Sequence, residues 1–283
     1  MDVLHVTNGD SVARTLRKAR LGGDVLAWRE ALHDGPLRRE GFLEARARFL
    51  SQAGGLRYDA VRTELAGQER RLLGAARVVL WLEHDLYDQL ELLQILSARG
   101  EATELICVGR FLGRLSAAEL ADLWPLRRAV EPAQAELARA GWDAVRSPDP
   151  TAVERLLHSD TSALPFLAAA LRRWLEEFPW VGDGLSRTER QALEAVEAGA
   201  RGRKEIFLAS QKREEAPYLG DLWLWRRLDE LAPLHGPSGL TALGRAVLRG
   251  EEDRVRAIGL DRWIGGVALS GYASPRWDPG RDG

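Results

Sequence analysis

Val78-Val79-Leu80-Trp81-Leu82-Glu83-His84-Asp85-Leu86-Tyr87-Asp88-Gln89 is the stretch whose reading decides the fold. Its apolar half reads as a short strand bounded by polar residues. Its polar half opens a helix, because Leu86, Leu90, Leu93 and Leu96 recur at helical spacing up to Gly100. Two earlier segments have the same plan. Val3 to Val6 runs into Thr7-Asn8-Gly9-Asp10-Ser11, and Val12, Leu16 and Ala19 then mark a helix over Ser11 to Arg20. Asp24 to Trp28 runs into Arg29-Glu30 and His33-Asp34-Gly35-Pro36, followed by an Arg-rich helical stretch from Glu40 to Ala75 broken at Gly54-Gly55. A fourth strand, Leu105 to Val108, leads into Gly109-Arg110-Phe111-Leu112-Gly113-Arg114. Ser116-Ala117-Ala118-Glu119 then forms a capping box, and Pro132 to Ala140 a further helix. Alternating strand and helix predict an α/β fold, a mostly parallel sheet flanked by helices, over residues 1–147. In such sheets ligands bind beyond the carboxyl ends of the strands. Three polar clusters at three strand ends therefore predict one assembled site.

Ser147-Pro148-Asp149-Pro150 interrupts the alternation and marks a boundary. Residues 148–184 read as a helical linker, with helices over Thr151 to His158 and Leu164 to Phe178 and a joint at Pro179 to Gly184. In residues 185–283 the capping box Ser186-Arg187-Thr188-Glu189 opens a helix to Glu197. Helices over Arg203 to Lys212 and Tyr218 to Leu231 follow, then the tight loop Pro233 to Gly239 and a helix over Thr241 to Arg249. That order predicts a winged-helix-like plan with a Trp/Gly-rich tail. Trp263, Gly265-Gly266 and Trp277 are expected to pack back onto the α/β region.

The 283 residues are 45% hydrophobic and 29% charged, a globular composition. No run approaches the roughly 18 apolar residues of a membrane span, and no secretory leader is evident, so a cytoplasmic location is expected. The single Cys107 lies in the apolar run Leu105 to Val108 and reads as a buried, inert thiol. Thirty-seven arginines against three lysines suit bidentate recognition of phosphate or carboxylate, though the excess reads first as the habit of a GC-rich genome. A net charge of −2 supplies no broad field for nucleic acid. From Leu185 to Gly250 the balance is eleven Lys/Arg to nine Asp/Glu, so nucleic-acid binding is the weaker expectation for the helical region.

Asn8-Gly9-Asp10-Ser11, Asp34-Gly35-Pro36 and the stretch Trp81 to Gln89, in this order and spacing, resemble the bacterial family called domain of unknown function 1835. The likeness covers the first half. Tyr218-Leu219-Gly220-Asp221 and Asp261-Arg262-Trp263-Ile264-Gly265-Gly266 resemble the helical C-terminal part of longer members. The resemblance implies an α/β fold and no particular activity.

The chemistry is read cluster by cluster. Gly9 permits a tight turn, and Asp10 or Ser11 can cap the following helix, whose free N–H groups attract an anion. Gly9-Asp10-Ser11 also resembles the nucleophile turn of the esterases named for that motif, but their late Asp-x-x-His is missing, so a nucleophilic Ser11 is the weaker alternative. His33 and Asp34 read either as base and orienting acid or as an exposed imidazole beside a turn-forming carboxylate. Glu83, His84, Asp85, Asp88 and Gln89 form the densest group. Asp85 pairs with Asp88 or Gln89 at helical spacing, and the group reads as a polar site or as acids suited to a helix N-terminus. Asn8, Trp28, Gly35 and Arg110 complete the candidate ligand contacts, with Arg110 as an anion clamp. No cofactor is named by the sequence. A divalent metal on Asp10, Asp34 and Asp85 with His33 and His84 is not favoured, because no recognised metal spacing occurs. His5 is expected in the core, and His158 and His235 at the surface.

The leading expectation is an enzyme, a hydrolase or group transferase, acting on a small phosphorylated or nucleotide-like ligand. Ser11, His33, Asp34, His84 and Asp85 are its candidate catalytic residues. The alternative is a non-catalytic ligand sensor whose C-terminal region binds protein or nucleic acid. Oligomeric state and substrate are not legible in the sequence.

Overall fold

The computed structural model describes residues 3–100 and 102–281; positions 1 and 283, the outer limits of the first and third predicted regions, lie outside them. Strand β1 (Val3–Asn8) leads through α1 (Gly9–Ala19) to β2 (Asp24–Trp28). The short β3 (Gly35–Pro36) precedes α2 (Phe42–Gly54) and α3 (Tyr58–Gly74). Then come β4 (Arg77–Glu83), α4 (Leu86–Arg99), β5 (Thr103–Val108), α5 (Ala117–Leu123), β6 (Arg128–Ala129) and α6 (Pro132–Val145). The main sheet has the order β2-β1-β4-β5-β6, parallel throughout except for β6, which pairs antiparallel at the edge. The predicted α/β architecture with a mostly parallel sheet is present.

Side-chain chemistry explains the layering. Val78 to Leu82 are all buried, as a central strand covered on both faces requires. Leu4, Val6, Leu80 and Leu82 pack with α4 and α6. Val79, Trp81 and Ile106 pack with α1 and α5 on the other face. His5 is held in the core as expected, its Nδ1 accepting from Trp81 Nε1 at 3.0 Å and its Nε2 bonded to Gly22 O at 2.9 Å. The predicted helical stretch from Glu40 to Ala75 divides at Gly54-Gly55, where Gly55 takes φ +63°.

Beyond α6 the chain is largely helical: α7 (Thr151–Leu157), α8 (Leu167–Leu175), α9 (Arg187–Glu197), α10 (Gly202–Gln211) and α11 (Asp221–Glu230). A hairpin of β7 (His235–Gly236) and β8 (Gly239–Leu240) occupies the predicted tight loop, followed by α12 (Ala242–Leu248) and α13 (Arg254–Ile258). The capping boxes at Ser116/Glu119 and Ser186/Glu189 both form reciprocally. His158 is exposed, but His235 is half-buried, its Nε2 bonded to Leu228 O at 3.1 Å.

The tail contains a hairpin that periodicity did not disclose, β9 (Asp261–Gly265) and β10 (Val267–Ser270). Strand β9 pairs in parallel with β3, and Leu37 N donates to Gly265 O at 2.7 Å. Side chains at Gly265 and Gly266 would strike the backbone of Val145 and Arg146, so both glycines are close-approach positions. Trp263 and the glycine pair thus dock on the α/β region. Trp277 does not: it bridges to Trp180 in the joint after α8, with Trp277 N donating to Pro179 O at 2.8 Å. One apolar core runs from β1 and β4 through α6 and α8 to α11 and β9. No helix among the described residues is long and apolar enough to cross a membrane.

Candidate functional site

The chain leaves β1 toward β2 on one side and continues from β4 toward β5 on the other, so the topological switch point lies between β1 and β4. The first and third polar clusters meet there. Asn8 Nδ2 donates to Asp88 Oδ1 at 2.5 Å, and the other carboxylate oxygen of Asp88 accepts from Glu83 N at 2.7 Å. Asp85 caps α4, its Oδ1 accepting from Asp88 N at 3.0 Å, which is why the helix begins at Leu86 rather than His84. Gln89 Nε2 donates to Glu83 O at 2.7 Å, and Glu83 Oε1 accepts from Leu112 N at 2.7 Å. At the mouth Gly9 takes φ +62° with open space around it, so the turn itself demands glycine.

Three carboxyls in this small volume are held away from their ordinary range. Burial pushes Glu83 up. Burial pushes Asp85 up to about 7, with Glu83 adding repulsion. Asp88 is driven well above the carboxylate range by burial and by Asp85 and Glu83 beside it. The three acids cannot all ionise together, so Asp88 is pushed toward its neutral form and Asp85, at about 7, is poised to exchange a proton near neutrality. His84 is half-buried and lowered by burial, so its imidazole is neutral at pH 7. Its Nδ1 is buried without a hydrogen-bond partner, and Phe111 and Phe166 pack on the ring.

His84 and Leu86 also line a cavity of about 260 Å3 between the α/β region and the following helices. Three arginines and three acids, Arg172, Arg173, Arg187, Glu176, Glu214 and Glu215, form its charged walls. Arg173 is tied to Glu214 at 2.8 Å and Glu177 at 2.7 Å, and Arg187 to Glu176 at 2.8 Å. Arg172 is exposed and has no ion-pair partner among the described residues.

The second cluster is put to another use. His33 is buried with neither ring nitrogen partnered, enclosed by Tyr87, Tyr218 and Trp223 at ring-centroid distances of 5.0, 5.4 and 5.4 Å. Burial lowers it to about 4. Burial alone would raise Asp34, but Arg227 of α11, at 2.7 Å, holds it below the usual range. Asp34 Oδ1 also accepts from Gly35 N at 2.9 Å. Arg46 binds Glu30 and the carbonyls of Ala31 and Asp34 beneath the loop. His33 and Asp34 thus join the two halves of the molecule, and the His33–Tyr87 ring contact links them to α4. The surface imidazole weighed from sequence is not found, because aromatic rings from α4, from α11 and from the segment before α11 close over it.

The remaining candidates are dispersed. Asp10 is exposed and paired with Arg29 at 2.6 Å, whose hydrogen bond lowers the carboxyl. Ser11 is exposed, and no hydrogen bond joins its hydroxyl to a histidine among the described residues. Trp28, the register partner of Asn8, is buried, its Nε1 donating to Gln94 Oε1 at 2.9 Å under α3 and α4. Arg110 is exposed beyond β5. Gly35 leans on Phe49, which a side chain there would overlap. Cys107 is half-buried, raised to about 12 by burial, and remains a thiol.

Sequence reasoning missed Glu91, which is fully buried on α4 with both carboxylate oxygens unpartnered. The signal was present, since Leu90, Leu92, Leu93 and Ile95 make that helix apolar all round. Arg172, Tyr218, Trp223 and Arg227 carried no comparable signal, because they lie more than sixty positions beyond the last of the four predicted strands. Among the described residues no group of three or more His, Cys, Asp or Glu side chains could hold a metal ion. Compared with models of known protein families and with curated proteins, the chain matches none.

Proposed function

We propose that this protein binds a small anionic ligand in the crevice at the β1/β4 switch point and moves a proton on it. The observation that carries the reading is His84, which belongs to the polar group at the end of β4 and also lines the cavity between the two halves. Ligand sites favour both switch points and domain junctions, and His84, just after β4, also lines the junction cavity. Arg172 supplies a free cation for the anion. Asp85 supplies an acid–base group poised near neutrality and His84 a neutral imidazole, with Asp88 and Asn8 holding Asp85's helix in place. The reaction classes that fit are hydrolysis and group transfer on a phosphorylated or nucleotide-like molecule. His33 and Asp34 leave the catalytic set in this reading, and a nucleophilic Ser11 lacks a base. The helix–helix–helix–hairpin–helix order from α9 to α12 supports a winged-helix-like module, used as a wall of the site rather than as a nucleic-acid reader. Membership of the domain of unknown function 1835 family, and a cytoplasmic setting, are parts of the same proposal.

The test is a thermal-shift screen of the wild type, His84→Gln and Arg172→Gln against nucleotides and sugar phosphates. A ligand of the folded state raises the melting temperature with the logarithm of one plus its concentration over Kd. The reading expects one ligand class to shift the wild type and both variants to lose the shift. A shift that both variants retain would place binding elsewhere, and no shift from any compound would overturn the proposal.

A further inference from the structure

The docked tail closes a second cavity, about 440 Å3, that shares no lining residue with the one at His84. Pro36 and Arg38 bound it on the β3 side, Arg48 and Phe49 on α2, and Trp263 on β9. Its aromatic wall is built from backbone upward. Gly35, at φ +81°, has no side chain, and a Cβ there would lie 2.5 Å from the Phe49 ring, so glycine is what lets that ring settle against the turn. Phe49 is held from behind by Trp223, stacked at 5.8 Å and 10°. On the opposite side the Arg38 guanidinium lies 4.8 Å from the Trp263 ring centroid.

The charges do not cancel. Arg38 and Arg48 are exposed, and neither has an ion-pair partner among the described residues. Of the two acids on the rim, Glu44 is bound by Arg62 at 3.1 Å, which leaves Glu40 alone against two free guanidinium groups. The volume is that of an ordinary small-molecule pocket. Aromatic walls favour a flat apolar body, and guanidinium groups favour carboxylate or phosphate while stacking on planar rings.

We propose that this cavity binds a planar aromatic anion, its ring against Trp263 and Phe49 and its charge on Arg38 and Arg48. Because β9 supplies one wall, the ligand also favours the docked tail. The site is independent of the reading given for His84.

Isothermal titration of the full chain with adenosine monophosphate, indole-3-carboxylate, adenosine and inorganic phosphate tests it. One or both aromatic anions should bind one to one, and which of them binds tells phosphate from carboxylate. Adenosine and phosphate alone should bind at least about tenfold more weakly. In the His84→Gln background, which removes the other proposed site, binding should persist, and adding Arg38→Gln/Arg48→Gln should lower that affinity about tenfold or more. Arg38 also stacks on Trp263 whereas the Arg48 side chain has no such contact among the described residues, so Arg48→Gln alone, which should also weaken binding, keeps the test decisive should Arg38→Gln loosen the tail. No binding by either aromatic anion up to about 1 mM overturns the proposal, as does phosphate matching the monophosphate or an arginine variant matching the wild type.

Discussion

His33 illustrates how one side chain couples stability to pH. In the unfolded chain its pKa is 6.5, and in the aromatic enclosure it falls to about 4. Above 6.5 the imidazole is neutral in both states and its full contribution is present. As pH falls from 6.5 to 4 the unfolded chain takes up a proton that the folded chain refuses, so stability drops by roughly 3 kcal/mol. His33→Phe should abolish that part of the acid loss, measured as the difference in urea midpoint between wild type and variant across this range; parallel curves would mean the imidazole is solvated. Asp85 acts in the opposite sense. Its folded pKa, about 7, lies above the unfolded 3.8, so stability is full below 3.8 and declines as pH rises to 7. Asp85→Asn keeps the helix cap, and its stability advantage over wild type should grow from pH 4 to 7, by up to about 4 kcal/mol, then level off. Glu91 is a third case. With both oxygens buried and unpartnered, Glu91→Met should raise stability by about 1–3 kcal/mol in chemical denaturation, and a loss would reveal a partner for the carboxyl in solution.

At the scale of elements, two glycines at strand ends differ in why they are glycine. Gly9 has open space around it, so Gly9→Ala meets only the cost of a positive φ, about 1–2 kcal/mol. Gly35 has the same backbone demand and also lies under the Phe49 ring, so Gly35→Ala should cost about 3 kcal/mol or more and loosen the β3–β9 pairing. Thermal melts of the two variants decide it, since equal losses would mean Phe49 moves aside freely. Elements were the scale best legible in the sequence. The buried run Val78 to Leu82, the leucine stripe of α4 and the capping boxes at Ser116 and Ser186 are local patterns, and local patterns survive into the fold. Strands β9 and β10 escaped because a short hairpin with one covered face carries too few residues for its period to stand out.

The whole molecule is held together by contacts that join its ends to its middle. Asp34 meets Arg227 across the junction, both nearly inaccessible to water. Removing one partner strands the other charge, so Arg227→Met should cost about 3–5 kcal/mol, and Asp34→Asn added to it should restore part of the loss in a double-mutant cycle. Additive losses would show that the pair is solvated. The strand ends, their polar clusters and the expectation of a crevice between them were determined by the sequence alone, because each depends on hydrophobic period and turn chemistry within a few residues. Which clusters share that crevice was decided only by the tertiary structure. Strand order brings Asn8 to Asp88, whereas the closing of α4 and α11 over the loop after β2 takes His33 and Asp34 out of solvent. That choice rests on the burial of rings and charges from residues far apart in the chain, and no local spacing encodes it.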